Sequence, residues 1–88
     1  MDNLQFSENA WRDFSYWLNQ DKRILNRIMK LFADIQRNGY QGIGKPEPLS
    51  GDLSGYWSRR IDEKKRIVYR IENDIVYIIQ CGSHYHDK

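Results

Sequence analysis

Apolar residues recur at helical spacing in the first half of the chain and alternate with polar residues in the second half. Residues 2–6 alternate, which predicts a short first strand. From residue 8 to 19 apolar positions recur every three or four residues, which predicts an amphipathic helix with Ser7 as its N-cap. A second helical pattern follows Asp21 and ends at Gly39, which can adopt the left-handed conformation that closes a helix. The pattern therefore predicts a strand followed by a helical hairpin.

Three further strands are predicted in the C-terminal half, at residues 56–61, 66–71 and 75–81. Short polar turns join them, which is typical of an antiparallel meander. In the middle strand Arg66 and Arg70 alternate with apolar residues, so we expect these arginines on the sheet face away from the helices. The expected fold class is α+β, with two N-terminal helices packed on a small twisted antiparallel sheet in the order β-α-α-β-β-β.

Length and composition indicate one small domain that spans residues 1–88. Hydrophobic residues make up 40% of the chain and aromatic residues 14%, which is enough for a packed core. The single cysteine, Cys81, excludes an intrachain disulfide and fits a reducing cytosol. The chain shows no signal-peptide pattern and no apolar run near the roughly 20 residues that cross a membrane. A cytoplasmic protein without a membrane partner is therefore expected.

A constrained carboxylate lies between the helical and the strand-rich halves. Glu47 stands between Pro46 and Pro48, the only two prolines, and five of the six glycines lie within residues 39–55. Proline fixes its own φ and keeps the preceding residue extended, so the backbone at Glu47 has few alternatives. An ordinary surface loop with a solvated carboxylate is one interpretation, and a functional carboxylate is the other.

Positive charge is concentrated locally, although the net charge of the chain is only +2. Six cationic residues fall within twelve positions and are opposed there only by Asp62 and Glu63. They are Arg59, Arg60, Lys64, Lys65, Arg66 and Arg70. Such a surface attracts phosphate, and a hairpin edge protected from aggregation by its charge is the alternative interpretation.

Together with the C-terminal His84-Tyr85, these groups match the chemistry of RNA cleavage without a metal. That reaction needs a base to take the 2′ proton, an acid to protonate the leaving 5′ oxygen, and a cation near the phosphate. Glu47 is the candidate base and His84 the candidate acid. Arg66 with Arg60 would stabilise the phosphate charge, and Tyr85 would bind the phosphate or orient the imidazole. DNA lacks the nucleophile and would not be cut.

No cofactor is expected from the sequence. Cys81, His84 and His86 crowd within six residues, with no second cluster to complete a tetrahedral metal site. The glycines of residues 39–44 match neither phosphate-loop nor dinucleotide-loop spacing. Cys81 is not expected to act as a nucleophile, because the end of a strand favours burial of its thiol.

Several motifs resemble the YoeB/Txe family of bacterial toxins, within the RelE/ParE superfamily. The resemblance rests on Gly-Lys-Pro-Glu-Pro-Leu at 44–49, Leu-Ser-Gly-Tyr-Trp-Ser-Arg-Arg-Ile at 53–61, Arg-Ile-Val-Tyr at 66–69 and His-Tyr at 84–85. It extends to residues 10–17, 21–23 and 34–37 in the N-terminal half, and so covers nearly the whole chain.

The resemblance implies a toxin of a type II toxin–antitoxin pair that enters the ribosomal A site and cleaves mRNA there. It implies Glu47 as general base, Arg66 and Arg60 as phosphate-stabilising cations, His84 as general acid and Tyr85 beside it. It also implies a YefM-like antitoxin as partner and a homodimer.

Two positions depart from the family pattern. The family often has lysine directly after Pro-Glu-Pro-Leu, where this chain has Ser50, so Lys45 or Lys65 is expected to supply the missing cation. The chain also continues beyond His84-Tyr85 with His86, a second imidazole near the expected acid. We favour His84, because it aligns with the family histidine.

Two other functions remain open at this stage. A non-catalytic toxin of the ParE kind poisons DNA gyrase by binding and would not need the pair of Glu47 and His84. A ribosome-binding inhibitor would block translation without cutting, and the basic strands alone would support it. An antitoxin is disfavoured, since the sequence has neither a helix-turn-helix signature nor a disordered tail.

Overall fold

Two helices and five strands form the fold, and the computed structural model describes residues 3–82. In chain order the elements are β1 (Asn3–Phe6), α1 (Glu8–Gln20), α2 (Lys22–Asn38), β2 (Glu47–Pro48), a short 3-10 helix (Gly51–Leu53), β3 (Trp57–Arg60), β4 (Arg66–Glu72) and β5 (Ile75–Cys81). The predicted α+β class is confirmed. Within residues 3–82, neither helix is long and apolar enough to cross a membrane.

Side-chain caps define the N-terminal ends of both helices. The Ser7 hydroxyl accepts a hydrogen bond from the Ala10 amide at 3.1 Å at the start of α1. The Asp21 carboxylate accepts bonds from the amides of Arg23 and Ile24 at 3.0 and 3.3 Å at the start of α2. Because these amides have no partner within the helix, each cap stabilises the N-terminus of its helix by about 1 kcal/mol. The predicted helical hairpin is confirmed.

The five strands form one mixed sheet in the order β1-β5-β4-β3-β2. Strands β2 to β5 pair antiparallel, but β1 runs parallel to β5, with Leu4 opposite Val76. The expectation of a purely antiparallel sheet is therefore corrected. Parallel neighbours need a long connection, and the helices and the meander between β1 and β5 provide it.

Strand β2 falls in the stretch expected to be a loop. Glu47 pairs with Ser58 and Pro48 with Trp57 at the sheet edge. Proline is tolerated there because an edge strand need not donate every amide. Two residues are too few to show an alternating pattern, so the sequence did not reveal this strand.

The hydrophobic core lies between the helices and one face of the sheet. Helix α2 contributes Ile28, Leu31, Phe32 and Ile35, and the sheet contributes Ile67, Tyr69, Val76, Ile78 and Cys81, all at most 3% exposed. A bulge opposite Val68 and Tyr69 leaves Ile79 unpaired. The extra residue lets Ile78 and Cys81 both reach the core side, despite their odd spacing.

The opposite face of the sheet carries the arginines, as predicted for Arg66 and Arg70. The register places Glu47 beside Ser58, Arg60 beside Arg66, and Arg70 beside Tyr77. Side chains of paired residues project to the same side of a sheet. We call this side the arginine face.

Candidate functional site

Glu47 and Arg66 meet on the arginine face. The Arg66 guanidinium Nη1 donates to the Glu47 carboxylate Oε1 at 3.2 Å and lies 3.5 Å from the Ser58 hydroxyl. The Glu47 side chain is 57% exposed and that of Arg66 34% exposed, so a polymer can reach both groups. Backbone pairing of β2 with β3, and of β3 with β4, fixes their spacing. The structure thus brings together a carboxylate and a cation that the sequence separates by nineteen residues.

Arg60 lies next to Arg66 and lines a cleft. The two arginines are opposite each other in the register of β3 and β4, and the Arg60 amide donates to the Gly44 carbonyl at 2.7 Å. The cleft has a volume of about 320 Å³, and its charged lining consists of Arg27, Lys45 and Arg60 together with Asp62 and Glu63. The Nε of Arg60 is buried and has no hydrogen-bond partner within residues 3–82. Sequence reasoning missed Arg27, since an arginine on a helix surface carries no distinguishing signal.

Arg59 does not belong to the arginine face, and its predicted role in phosphate binding is corrected. Its side chain is fully buried on the core side. It donates to the Tyr69 hydroxyl at 3.1 Å and to the carbonyls of Gly39, Gln41 and Ile43 at 2.7, 2.7 and 3.1 Å. It also forms an ion pair with the Asp34 carboxylate. These contacts occupy its donors, so no phosphate can bind there.

This partly buried ion pair holds the glycine-rich segment against α2. Asp34 also accepts hydrogen bonds from the Ile43 amide at 3.1 Å and from the Asn38 side chain at 2.8 Å. A Cβ at Gly42 would collide with the Asp34 carboxylate, and the φ of +128° there also favours glycine. Burial raises the pKa of Asp34, but hydrogen bonds from Arg59, Ile43 and Asn38 outweigh it and hold that pKa below its usual range. Arg59 therefore positions the segment that leads to Glu47.

Lys64 and Lys65 lie in the turn between β3 and β4, where Asp62 organises the backbone. The Asp62 carboxylate accepts from both lysine amides, at 2.9 and 2.7 Å. Burial raises the pKa of Asp62, but these two bonds and the Lys65 ammonium hold it below its usual range. The Lys65 ammonium lies 3.3 Å from Asp62 and 5.7 Å from the centre of the Trp17 ring, whereas Lys64 is exposed. Of the two ammonium groups, that of Lys64 is the more open to a ligand.

The predicted acid His84 and its neighbour Tyr85 lie outside the described residues, as does His86. The last described residue, Gly82, donates its amide to the Arg66 carbonyl at 2.9 Å. The Trp17 indole donates to the carbonyls of Cys81 and Gly82 at 3.1 and 3.2 Å. The chain up to Gly82 is therefore fastened beside Arg66.

Cys81 is a buried free thiol on the core side of β5. Burial, with a contribution from the Asp13 carboxylate, raises the pKa of this thiol far above its usual range. The neutral thiol is a poor nucleophile, so Cys81 has no place in the chemistry of the arginine face. Within residues 3–82 no group of three or more histidine, cysteine, aspartate or glutamate side chains is arranged to hold a metal.

Comparisons with known proteins agree with this fold and with these motifs. The profile of a family described as "YoeB-like toxin of bacterial type II toxin-antitoxin system" matches residues 6–85. The toxin YoeB of Mycobacterium bovis is 49% identical over 97% of this chain and 100% of its own length. The toxin YoeB of Escherichia coli K12 is 48% identical over 93% of this chain and 98% of its own. The chain belongs to the YoeB-like toxin family of bacterial type II toxin–antitoxin systems.

Solved structures give the same result. A heterotetrameric YoeB–YefM toxin–antitoxin complex from Staphylococcus aureus contains a chain that matches with a TM-score of 0.88 and 42% identity. The match covers 94% of this chain and 97% of that one. A YoeB dimer from the same organism matches with a TM-score of 0.86 and 42% identity, over the same shares of the two chains.

Proposed function

We propose that this protein is a ribosome-dependent mRNA endoribonuclease that cleaves mRNA in the ribosomal A site and so inhibits translation. The observation that supports this most is the 3.2 Å contact between the Glu47 carboxylate and the Arg66 guanidinium on an accessible face. A base and a cation close together are what attack of the 2′-OH on the neighbouring phosphate requires. The proposed toxin domain is the whole chain, residues 1–88.

In the proposed reaction, Glu47 takes the proton from the 2′-OH as the 2′ oxygen attacks the adjacent phosphorus. Arg66, with Arg60 beside it, stabilises the negative charge that builds on the phosphate oxygens. The bond to the 5′ oxygen breaks, and His84 donates a proton to that leaving oxygen. Tyr85 binds the phosphate or orients His84. The products are a 2′,3′-cyclic phosphate and a 5′-OH end, and no metal takes part.

Chain connectivity is compatible with His84 as the acid. Gly82 is fastened to Arg66, and two residues of extended chain span at most about 7 Å. His84 is therefore within covalent reach of a phosphate bound at Arg66. His86 lies four residues beyond Gly82, a span of at most about 14 Å, so chain length does not exclude it either. Comparison of His84→Ala with His86→Ala distinguishes the two, and we expect the larger loss of cleavage from His84→Ala.

Lysines around this site are proposed to bind the RNA backbone. The family often has a lysine at the position of Ser50. Lys45 lines the same cleft as Arg60, so we propose it, rather than Lys65, as the replacement cation. Lys64 and Lys65 extend the positive surface along the turn. Such contacts fix the position of the strand but carry no sequence information.

The proposed partners are the ribosome, its mRNA and a YefM-like antitoxin that neutralises the toxin. The antitoxin is proposed because the similar Staphylococcus aureus chain forms a complex with YefM. A homodimer is proposed because a YoeB dimer has been solved from the same organism. A ribosomal target implies that the protein acts in the bacterial cytoplasm.

The test uses translating bacterial ribosomes programmed with a defined mRNA, and primer extension maps new RNA ends. Wild-type protein is compared with Glu47→Gln, and with Glu8→Gln as a matched control on the exposed surface of α1. We expect new ends within the A-site codon for the wild type and the control, and a loss of 10²–10⁴-fold for Glu47→Gln. Translation arrest with intact mRNA would instead indicate a blocking toxin. Intact mRNA without arrest would indicate gyrase as the target.

A further inference from the structure

Three side chains form a second cluster on the arginine face, beyond Glu47 and Arg66. The guanidinium carbon of Arg70 lies 4.3 Å from the centre of the Tyr77 ring and 5.9 Å from the centre of the Tyr56 ring. Arg70 and Tyr77 are opposite each other in β4 and β5. Tyr56 directly precedes Trp57, whose partner is Tyr69, so Tyr56 lies level with Arg70. The three planar groups therefore form a row across the sheet, which we call the stacking row.

Arg70 has an acidic partner on the exposed face, as Arg66 does. The Arg70 guanidinium forms an ion pair with the Glu72 carboxylate two residues along β4. The rings of Tyr56 and Tyr77 lie on the two sides of Arg70, so the row combines aromatic surface with an ion-paired guanidinium. The two flanking rings distinguish the row from a cation that would contact phosphate alone.

The position of the stacking row relates it to the proposed cleavage site. Arg70 follows Arg66 by four residues on the same strand and the same face, which is about 13 Å at 3.3 Å per residue. Tyr56, Arg70 and Tyr77 are all only partly buried, on the side of the sheet opposite the helices. A single RNA strand whose phosphate lies at Arg66 can therefore place a neighbouring nucleotide over the row.

We propose that the stacking row binds a nucleobase of the mRNA next to the scissile phosphate. Unpaired bases stack on tyrosine rings and on arginine planes exposed on sheets, at about 1–3 kcal/mol per base. Stacking tolerates any base, so the row orients the strand without selecting a sequence. The inference rests on the proposed function, because it takes its RNA from the A-site reaction.

The experiment combines a protein variant with a matched change in the RNA. Tyr77→Leu removes the ring but keeps an apolar side chain, and Tyr77→Phe keeps the ring as the control. Each is tested in single-turnover cleavage on ribosomes, with intact mRNA and with mRNA that carries an abasic nucleotide in turn at each position flanking the cut. We expect Tyr77→Leu to slow cleavage about tenfold and Tyr77→Phe by less than twofold. At one flanking position the abasic nucleotide should slow the wild type about tenfold and should not slow Tyr77→Leu further.

Two outcomes would contradict the proposal that the stacking row binds a base. One is cleavage by Tyr77→Leu at the wild-type rate. The other is a loss from Tyr77→Leu that multiplies with the loss from the abasic nucleotide at every position, which would mean that ring and base act independently. Antitoxin affinity is measured in parallel. A loss of affinity for a YefM-like antitoxin without a loss on RNA would assign the row to a protein partner and contradict the proposal.

A binding measurement separates this proposal from the proposed function. The affinity of ribosomes with an uncleavable 2′-deoxy A-site codon is measured for wild type, Tyr77→Leu and Tyr77→Phe. If the wild type cleaves no mRNA and, of the two variants, only Tyr77→Leu weakens binding about tenfold, the stacking proposal is supported and the endoribonuclease proposal is wrong. If all three proteins bind and cleave alike, the endoribonuclease proposal is supported and the stacking proposal is wrong. Equal binding of all three proteins without cleavage overturns both.

Discussion

The Arg66 guanidinium contacts the Glu47 carboxylate at 3.2 Å on the accessible face of the sheet. An exposed ion pair of this kind contributes only about 0–1 kcal/mol to stability. An RNA phosphate can therefore replace the carboxylate on Arg66 at little cost. In the proposed mechanism, Glu47 is then available to accept the 2′ proton beside the bound phosphate.

Arg66 should act on the reaction more than on binding. Arg66→Ala is expected to slow single-turnover cleavage on ribosomes by about 10²–10³-fold, because it removes a cation from the developing phosphate charge. Ribosome affinity should change by only a few-fold. Arg66→Lys should recover part of the rate. Equal losses of affinity and of rate would make Arg66 an anchor instead.

Lys64 should show the opposite behaviour. Its side chain is exposed, so Lys64→Ala is expected to weaken ribosome binding and to reduce the dependence of log affinity on log salt by about 1. Lys65→Ala should change that slope less, because Asp62 and Trp17 already engage the Lys65 ammonium. Affinity measured at several salt concentrations tests both variants. Identical slopes for the wild type and Lys64→Ala would exclude a phosphate contact at Lys64.

Arg59 should affect stability and not RNA affinity. Asp34 is partly exposed, but the Arg59 side chain is fully buried and donates to three loop carbonyls, so its removal should cost roughly 3–5 kcal/mol in total. Arg59→Ala should lower the free energy of unfolding in urea by this amount. Arg60 is only half-buried, so Arg60→Ala should change the free energy of unfolding much less. If Arg59→Ala folds stably but binds RNA more weakly, Arg59 contributes to phosphate binding and this account of its role is wrong.

Stability should fall on acidification, in part through Asp34. The pKa of Asp34 is lower in the fold than its ordinary value, so the unfolded chain binds the proton more readily. The stabilisation is fully present above the unfolded pKa of about 3.9 and is lost as the pH falls through the folded-state pKa. Asp62 acts in the same direction. Urea unfolding between pH 7 and pH 2.5 should show a smaller acid-induced loss for Asp34→Asn than for the wild type. Parallel pH profiles would contradict this.

The helices and the order of the main strands were predictable because their signals are local. Ser7, Asp21 and Gly39 stand at helix ends, and hydrophobic spacing defines the segments between them. The parallel pairing of β1 with β5 was not predictable, since it joins residues more than seventy positions apart. The proximity of Glu47 and Arg66 likewise depends on two strand pairings and on a strand of two residues.

The error at Arg59 has a simple physical origin. Neighbouring residues on a strand point to opposite faces, so Arg59 and Arg60 cannot both lie on the arginine face. Strict use of this alternation would have assigned one of them to the core side. It would not have identified which one, because the acceptors of Arg59 are loop carbonyls and Asp34, which only the folded chain brings together.

The most direct test of the proposed chemistry replaces the nucleophile. Ribosomes are programmed with two otherwise identical mRNAs, one of which carries a single 2′-deoxyribose on the 5′ side of the mapped cleavage site. The proposed mechanism predicts that cleavage at this bond falls to background, while the protein binds both ribosome complexes with equal affinity. Cleavage of the deoxy-substituted bond at the unmodified rate would contradict attack by the 2′-OH, and with it the roles assigned to Glu47 and Arg66.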